Sequence, residues 1–177
     1  IEDRADLVDL CNDIAFANDF DGLRFEQGRI ANADITDIDV LIALHACDTA
    51  TDDAIAKGIK SEARAIIVAP CCHKQIRREM EKNDPENGLD ALTRHGVFLE
   101  RQAEMVTDAL RASYLEKHGY AVKTAEFISD MHTPKNVLIM AQKTKNPRKA
   151  EIIQNEITAL KTLFGVQKHY LEQALSG

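Results

Sequence analysis

The sequence predicts an α/β fold whose sheet is mostly parallel and ends in an antiparallel β-hairpin near the C-terminus. Three observations carry this. Two short apolar runs, Val40–Leu44 and Ala65–Ala69, each stop abruptly in a polar cluster, His45-Ala46-Cys47-Asp48 and Cys71-Cys72-His73-Lys74. A stretch of helical composition, residues 52–59, separates them, and strand–helix–strand at this length is a βαβ unit with parallel neighbouring strands. Two further apolar stretches near the C-terminus have only a short loop between them, which fits a hairpin. Both polar clusters then lie at the carboxyl ends of adjacent strands, where open α/β sheets place their ligands.

Taken in order, the chain begins with a helical pattern in which Leu7, Leu10, Cys11 and Ile14 share a stripe at spacings of three and four. Residues 19–22 break it, and residues 23–27 alternate like a strand that ends at Gly28. Residues 31–36 read as loop and lead into the βαβ unit, whose helix Gly58 is expected to close. Residues 75–82 form a short charged helix, 83–88 a loop, and 89–99 a segment that starts helical. Ala103, Val106, Leu110 and Tyr114 put a helix over 101–117, with Gly119 as its stop. Strands follow over 120–128 and 136–142, joined by the polar loop at 129–135. Pro147 opens a last amphipathic helix with Ile153, Ile157, Leu160 and Phe164 on one stripe, kinked or ended by Gly165. There are no internal repeats. Helical crossovers make all but the last strand parallel. The expected division is a domain over 1–145 and a C-terminal helical appendage over 146–177.

Bulk composition narrows the function classes. At 177 residues the chain can bury a core of its own, and it contains no apolar run near the ~20 residues that span a bilayer. Four cysteines, two of them vicinal and none in CxxC spacing, make no disulfide framework and fit a reducing, cytoplasmic compartment. A formal charge of −7 argues against a general nucleic-acid binder. Local cationic clusters, 74–78 and 135–149, depart from that mean. Thiols between a strand end and a helix N-terminus, beside Lys74, are expected to favour thiolate. His45, Cys47, Cys71 and His73 could in principle converge on zinc, but vicinal cysteines chelate poorly, so no metal is expected. The loop residues Asp130, His132, Lys135 and Asn136 could reach over the same strand ends.

The segments LHACDTATDDAI and IIVAPCCHK, with the late hairpin, give the chain its resemblance. It resembles the later part of a class I S-adenosylmethionine-dependent methyltransferase. Within that class it is similar to a group with an LHxC(G/D)…TD segment after the fourth strand and a CCH segment after the fifth, related to a tRNA 2′-O-methyltransferase. The likeness covers residues 1 to about 145. It implies a Rossmann-like methyltransferase sheet, S-adenosylmethionine as cofactor, and RNA as one candidate methyl acceptor. It also implies site roles. Glu2 would be the carboxylate that takes the ribose hydroxyls. Gly28, Arg29 and Ile30 would face adenine through backbone groups, since Arg29 has no acceptor. His45 would face the sulfonium, and His45 or Asp48 would take the acceptor's proton. Cys72, His73 and Lys74 would line the acceptor pocket, with Lys74 able to meet a phosphate. Asp48 stands where the group often has Gly.

If Glu2 ends the family's second strand, the first strand and its glycine-rich loop precede Ile1, and nothing here reads GxGxG. The chain is then expected to be the acceptor half of a site, inactive by itself, with Val40–Leu44 as an open edge that either a covering element, such as the Leu23–Gly28 strand, or self-association would pair. Two other classes fit less well. Cys71 or Cys72 followed after five residues by Arg77 or Arg78 matches the spacing of a cysteine phosphatase loop. However, the loop contains no glycine to aim its amides at phosphate. A catalytically silent association module is the other.

Overall fold

A computed structural model describes residues 1–82, 88–128 and 136–176. Asp130, His132 and Lys135, named above as loop candidates, lie outside the described residues, as does most of the 83–88 loop. The chain forms two compact units, Ile1–Thr36 and Asp37–Gly177.

In the first unit helix α1, Ala5–Ala17, buries Val8 and Ala15, while Leu10 and Ile14 of the expected stripe are each 53% exposed. Residues 23–27 do not form the strand their alternation predicts. They contribute a single parallel bridge, Glu2 to Gln27, closed by Glu2 N–H to Glu26 O at 3.0 Å and Gly28 N–H to Glu2 O at 2.9 Å. Asn12 holds Phe25 from both sides, its Nδ2 donating to the Phe25 carbonyl at 3.0 Å and its Oδ1 accepting the Phe25 N–H at 2.9 Å.

The second unit is a four-stranded sheet with helices. Its elements are β1 (Val40–Leu44), α2 (Thr49–Lys60), β2 (Ala65–Ala69), α3 (Lys74–Lys82), the single-turn α4 (Asp90–Thr93), α5 (Gly96–Lys117), β3 (Tyr120–Glu126), β4 (Val137–Lys143), α6 (Ala150–Leu163) and α7 (Tyr170–Ser176). The sheet order is β1-β2-β4-β3. β1 and β2 are parallel neighbours in register from Val40–Ala65 to Leu44–Ala69, as the βαβ reading requires.

The expectation of a mostly parallel sheet needs correction. β3 runs in the same direction as β1 and β2, but the hairpin tucks β4 in between, so two of the three ladders are antiparallel. The cause is geometric. The short loop before β4 can only return antiparallel beside β3, and the buried residues Ile139 and Ala141 are best covered on the inner side, next to β2.

Register puts Leu41, Ile66, Ala141 and Val122 in one row across the sheet and Ala43, Val68 and Ile139 in the next. These rows face the helices. α2 packs on β1 and β2, and α5 packs on β3 and β4. Gly58 is not the helix stop expected of it, since α2 runs on to Lys60. It is there because a Cβ would lie 2.7 Å from Ile66 Cδ1, so only glycine lets α2 approach β2 this closely. On the opposite face β1 leaves Val40, Ile42 and Leu44 at 50, 61 and 62% exposure. β1 is an edge strand of this sheet.

Of the C-terminal stretch set apart by sequence, residues 146–176 contribute to the same core. α6 packs on α5 and α7 on α2, burying Ile153, Ile157, Val166 and Leu171. Glu172 of α7 ties three elements, accepting from Lys161 Nζ at 2.7 and 2.8 Å, from Tyr114 Oη, and from the His169 N–H at 3.3 Å. His169 is fully buried; its Nδ1 accepts the Leu171 N–H at 3.1 Å, and its Nε2 has no partner among the described residues.

Burial first, then nearby Arg111, push His169 down to about 3. The unfolded chain would take up that proton near pH 6.5, the folded one only near 3. Protons therefore favour unfolding throughout this window, and stability falls with decreasing pH by up to about 1.4 kcal/mol per unit from this group. We expect His169→Gln to flatten the stability profile between pH 6 and 4 by nearly one proton. Urea midpoints across that range are the measurement, and an unchanged slope would refute a neutral buried imidazole.

Candidate functional site

The matched ends of β1 and β2 bring the two polar clusters side by side. The ladder continues one step beyond the strands, with the His45 N–H donating to the Ala69 carbonyl at 3.1 Å. From there the 45–48 loop turns sharply. His45 and Asp48 both have positive φ, 58° and 51°. Asp48, with ψ −117°, sits in a region that glycine adopts freely and other residues do not.

Three contacts hold it there. Asp48 Oδ1 accepts the Gln75 N–H at 3.1 Å, capping the first turn of α3, and its carbonyl accepts from Arg111 Nη2 at 2.9 Å. Thr51 Oγ1 donates to the Ala46 carbonyl. The backbone strain costs roughly 1–3 kcal/mol. Asp48→Gly should relieve that strain while losing the cap and stay within about 1 kcal/mol of the parent. Asp48→Ala loses the cap and keeps the strain that the parent already carries, so a fall of about 1–2 kcal/mol is expected. Equal denaturation midpoints for the two variants would rule the strain out.

Arg111 is the centre of what sequence reasoning missed. Its side chain is 0% exposed and grips Asp52 of α2 with Nε at 2.8 Å and Nη2 at 3.2 Å, and Asp108 of its own helix with Nη1 at 3.2 Å. Asp108 also meets His73 Nε2 at 3.2 Å. Burial pushes the Asp52 carboxyl up, with Arg111 opposing that shift. The guanidinium keeps its proton throughout this range, and its own affinity for it is raised by the two carboxylates against burial. A signal was present: Arg111 is a cation one helical turn from Thr107 and Tyr114 on the apolar stripe of α5, and Thr51-Asp52 is the TD pair already noted in the LHACDTATD segment.

The other predicted residues are distributed as follows. His45 and Lys74 are exposed, Asp48 and Cys72 half-buried, and His73 is buried at 3% exposure, turned toward Asp108 with Nδ1 unpartnered among the described residues. Cys47, Cys71 and Cys72 converge: their sulfurs are 3.9, 3.8 and 3.8 Å apart. The expected thiolate character fails at Cys71, where burial, followed by hydrogen bonds to the two neighbouring thiols, pushes the group up to about 12. Of the two arginines at phosphatase spacing, Arg78 is exposed and Arg77 is engaged elsewhere. Arg77, which would have to face the nucleophile's phosphate, is paired with Glu81 at 3.1 Å and Glu100 at 2.9 Å.

In the first unit Glu2 bridges to Gln27, and the next residue, Gly28, donates its N–H to the Glu2 carbonyl at 2.9 Å, with Arg29 and Ile30 following it in the chain. Glu2 Oε1 accepts the Arg4 N–H at 3.0 Å. Gly28 opens onto free space, since a Cβ there would meet nothing within 4 Å. Away from the strand ends, a cleft along α6 is lined by Gln154, Thr158, Lys161 and Gln167, and its cation is committed to Glu172. No helix among the described residues is long and apolar enough to cross a membrane.

Comparison with known proteins bears on these residues directly. A bovine glutathione S-transferase C-terminal domain-containing protein is 27% identical over 120 residues, covering 56% of this chain. The match spans 19% of that relative's length. No solved structure matches. Residues 1–79 match the family model described as a methyltransferase domain, a stretch that contains every candidate residue from Glu2 to Lys74. Over that stretch the chain is similar to the methyltransferase domain family, and its mixed α/β sheet is consistent with a fold of that kind.

Proposed function

We propose that this chain carries the acceptor side of an S-adenosylmethionine-dependent methyltransferase, with RNA as the candidate acceptor. The observation that carries the reading is the parallel β1–β2 pair, which sets residues 45–48 and 71–74 together at one sheet end within the stretch that matches the methyltransferase domain.

The donor groups suit the cofactor. In the first unit a carboxylate, Glu2, lies across a parallel bridge from a backbone turn, 28–30, that leaves room at Gly28. Glu2 would accept the two ribose hydroxyls and the turn would meet adenine through its amides and carbonyls. When bound, the cofactor supplies an electrophilic methyl group. The chain's own residues then have to position the acceptor and remove its proton. His45, exposed at the strand end on a backbone held by the Ala69 carbonyl, is the proposed base, with Asp48 beside it as the alternative. Lys74, exposed at the start of α3, would meet an acceptor phosphate. Cys72 would wall the pocket, with His73 braced behind it on Asp108.

The test is transfer of a tritiated methyl group from S-adenosylmethionine to RNA by the full-length protein, since this chain is expected to be inactive by itself. His45→Ala is expected to lower the rate by about 100-fold or more, the range of a general base, while calorimetry shows cofactor affinity little changed. Glu2→Gln should weaken cofactor binding instead. Undiminished transfer in both His45→Ala and Asp48→Asn would sink the assignment of the base. Transfer by the full-length protein that none of Glu2→Gln, His45→Ala and Lys74→Ala changes would sink the function.

A further inference from the structure

We infer that Cys47, Cys71 and Cys72 together form a binding site for one soft divalent d10 cation of the zinc type. The inference does not depend on the methyltransferase reading. The three sulfurs form a nearly equilateral triangle of side 3.8–3.9 Å, brought together from two loops whose cysteines are 24 and 25 residues apart in sequence. The centre of such a triangle lies at the side divided by √3, about 2.2 Å from each sulfur, against a zinc–thiolate bond of about 2.3 Å. A zinc ion would therefore lie just out of the sulfur plane with its bonds at ordinary length. Neither loop has to move.

Vicinal cysteines are poor chelators by themselves, but Cys71 and Cys72 do not stand by themselves. The third sulfur comes instead from the β1 loop, and the irregular 70–73 segment before α3 brings both vicinal side chains to it. Packed thiols by themselves gain little, because S–H is a weak donor and sulfur a weak acceptor. Bridging by a cation would convert these weak contacts into three metal bonds.

The chemistry of the donors selects the ion. Three sulfurs favour zinc-like or softer cations over magnesium or calcium, which require oxygen. The charge is also accommodated: three thiolates and a divalent cation sum to −1, and α2 and α3 both begin two residues after a ligand, presenting helix N-termini to it. The ligands are held from behind, as metal ligands usually are. Thr51 fixes the Ala46 carbonyl, Arg111 the Asp48 carbonyl, and Asp48 the first turn of α3. Exposure of Cys47 leaves a solvent side, so the fourth position would go to water. The fourth cysteine of the chain, Cys11, belongs to α1 in the first unit and serves as the internal control.

The experiment is titration of the reduced, dialysed protein with cadmium(II), followed by its thiolate-to-metal ultraviolet absorption, and then displacement by zinc(II). Saturation at one ion per chain is expected for the parent and for Cys11→Ser. Cys47→Ser, Cys71→Ser and Cys72→Ser should each bind at least roughly 100-fold more weakly, a ligand counting for no less than the supporting residues behind it. Zinc should raise the Tm of the parent and leave that of Cys47→Ser unchanged. Cys47 is exposed, so its variant should remain folded even where Cys71→Ser does not. Absence of saturable binding would overturn the inference, as would unaltered binding by Cys47→Ser or an equal loss in Cys11→Ser.

Discussion

Arg111→Ala is expected to destabilise the protein by about 3–5 kcal/mol, the cost of stripping one partner from a buried ion pair. The guanidinium is fully buried and serves Asp52, Asp108 and the Asp48 carbonyl at once. Removing it leaves the Asp52 carboxylate, whose side chain is 2% exposed, without its cation in a site that already disfavours charge.

The variant has a pH signature. With Arg111 gone, the Asp52 pKa in the folded state rises further above its unfolded value. The protonated form stabilises the fold at low pH, and this contribution is lost as pH climbs through the folded pKa. The deficit of Arg111→Ala relative to the parent should therefore be larger at pH 8 than at pH 5. Denaturant unfolding at both values measures it, and a deficit independent of pH would mean that Asp52 is not the group left behind. A double replacement, Arg111→Met with Asp52→Leu, should recover part of the loss, because it removes the stranded Asp52 charge while Asp108 keeps His73 Nε2 at 3.2 Å. The single variant should also loosen the Asp48 loop, so its effect on the site would exceed what unfolding explains.

The double variant Ile153→Ala, Ile157→Ala should be the other severe lesion. Both side chains are essentially inaccessible and lie one turn apart on the face that α6 turns to α5. Each truncation costs about 2–5 kcal/mol through lost transfer energy and the cavity that remains. The pair is adjacent, so the costs will not simply add, but a loss of about 4–8 kcal/mol rivals the 5–15 kcal/mol by which domains of this size are stable. We expect the variant to lose its cooperative thermal transition. A sharp transition with Tm close to the parent would show that residues 146–177 are an appendage in the energetic sense, and that α5 can close its core without them.

Much of the site's location could be read from the chain. Two apolar runs ending in polar clusters, with a helix between, defined a parallel pair, and a parallel pair forces its two carboxyl ends to the same side. That inference needs only the direction of the strands. It put His45, Cys47, Asp48 and Cys71–Lys74 at one sheet end before any coordinate was known, and β1 and β2 begin and end at the residues read from the sequence. It could not say which side chains turn inward. His73 belongs to the same cluster as Lys74, yet it is buried on Asp108 while Lys74 is exposed, because successive residues entering a helix point in different directions.

Strand alternation misled at residues 23–27. There the local pattern is as good as elsewhere, but a strand needs a partner ladder, and only Gln27 has one, through its bridge to Glu2. Gly58 looked like a helix stop because glycine often is one; that it instead admits Ile66 against the helix backbone depends on a residue eight positions on, across the turn into β2.

By itself, then, the sequence determined the α/β class, the βαβ unit and the sheet end at which the polar residues gather. These follow from period, length and the chirality of the chain, which are local properties. The tertiary structure alone decided that β4 sits inside the sheet, that Arg111 reaches 59 residues back to Asp52, and that three sulfurs meet at 3.8–3.9 Å. Each is a contact between segments distant in sequence, selected by burial and charge pairing in the assembled core, and such contacts leave no periodic trace along the chain.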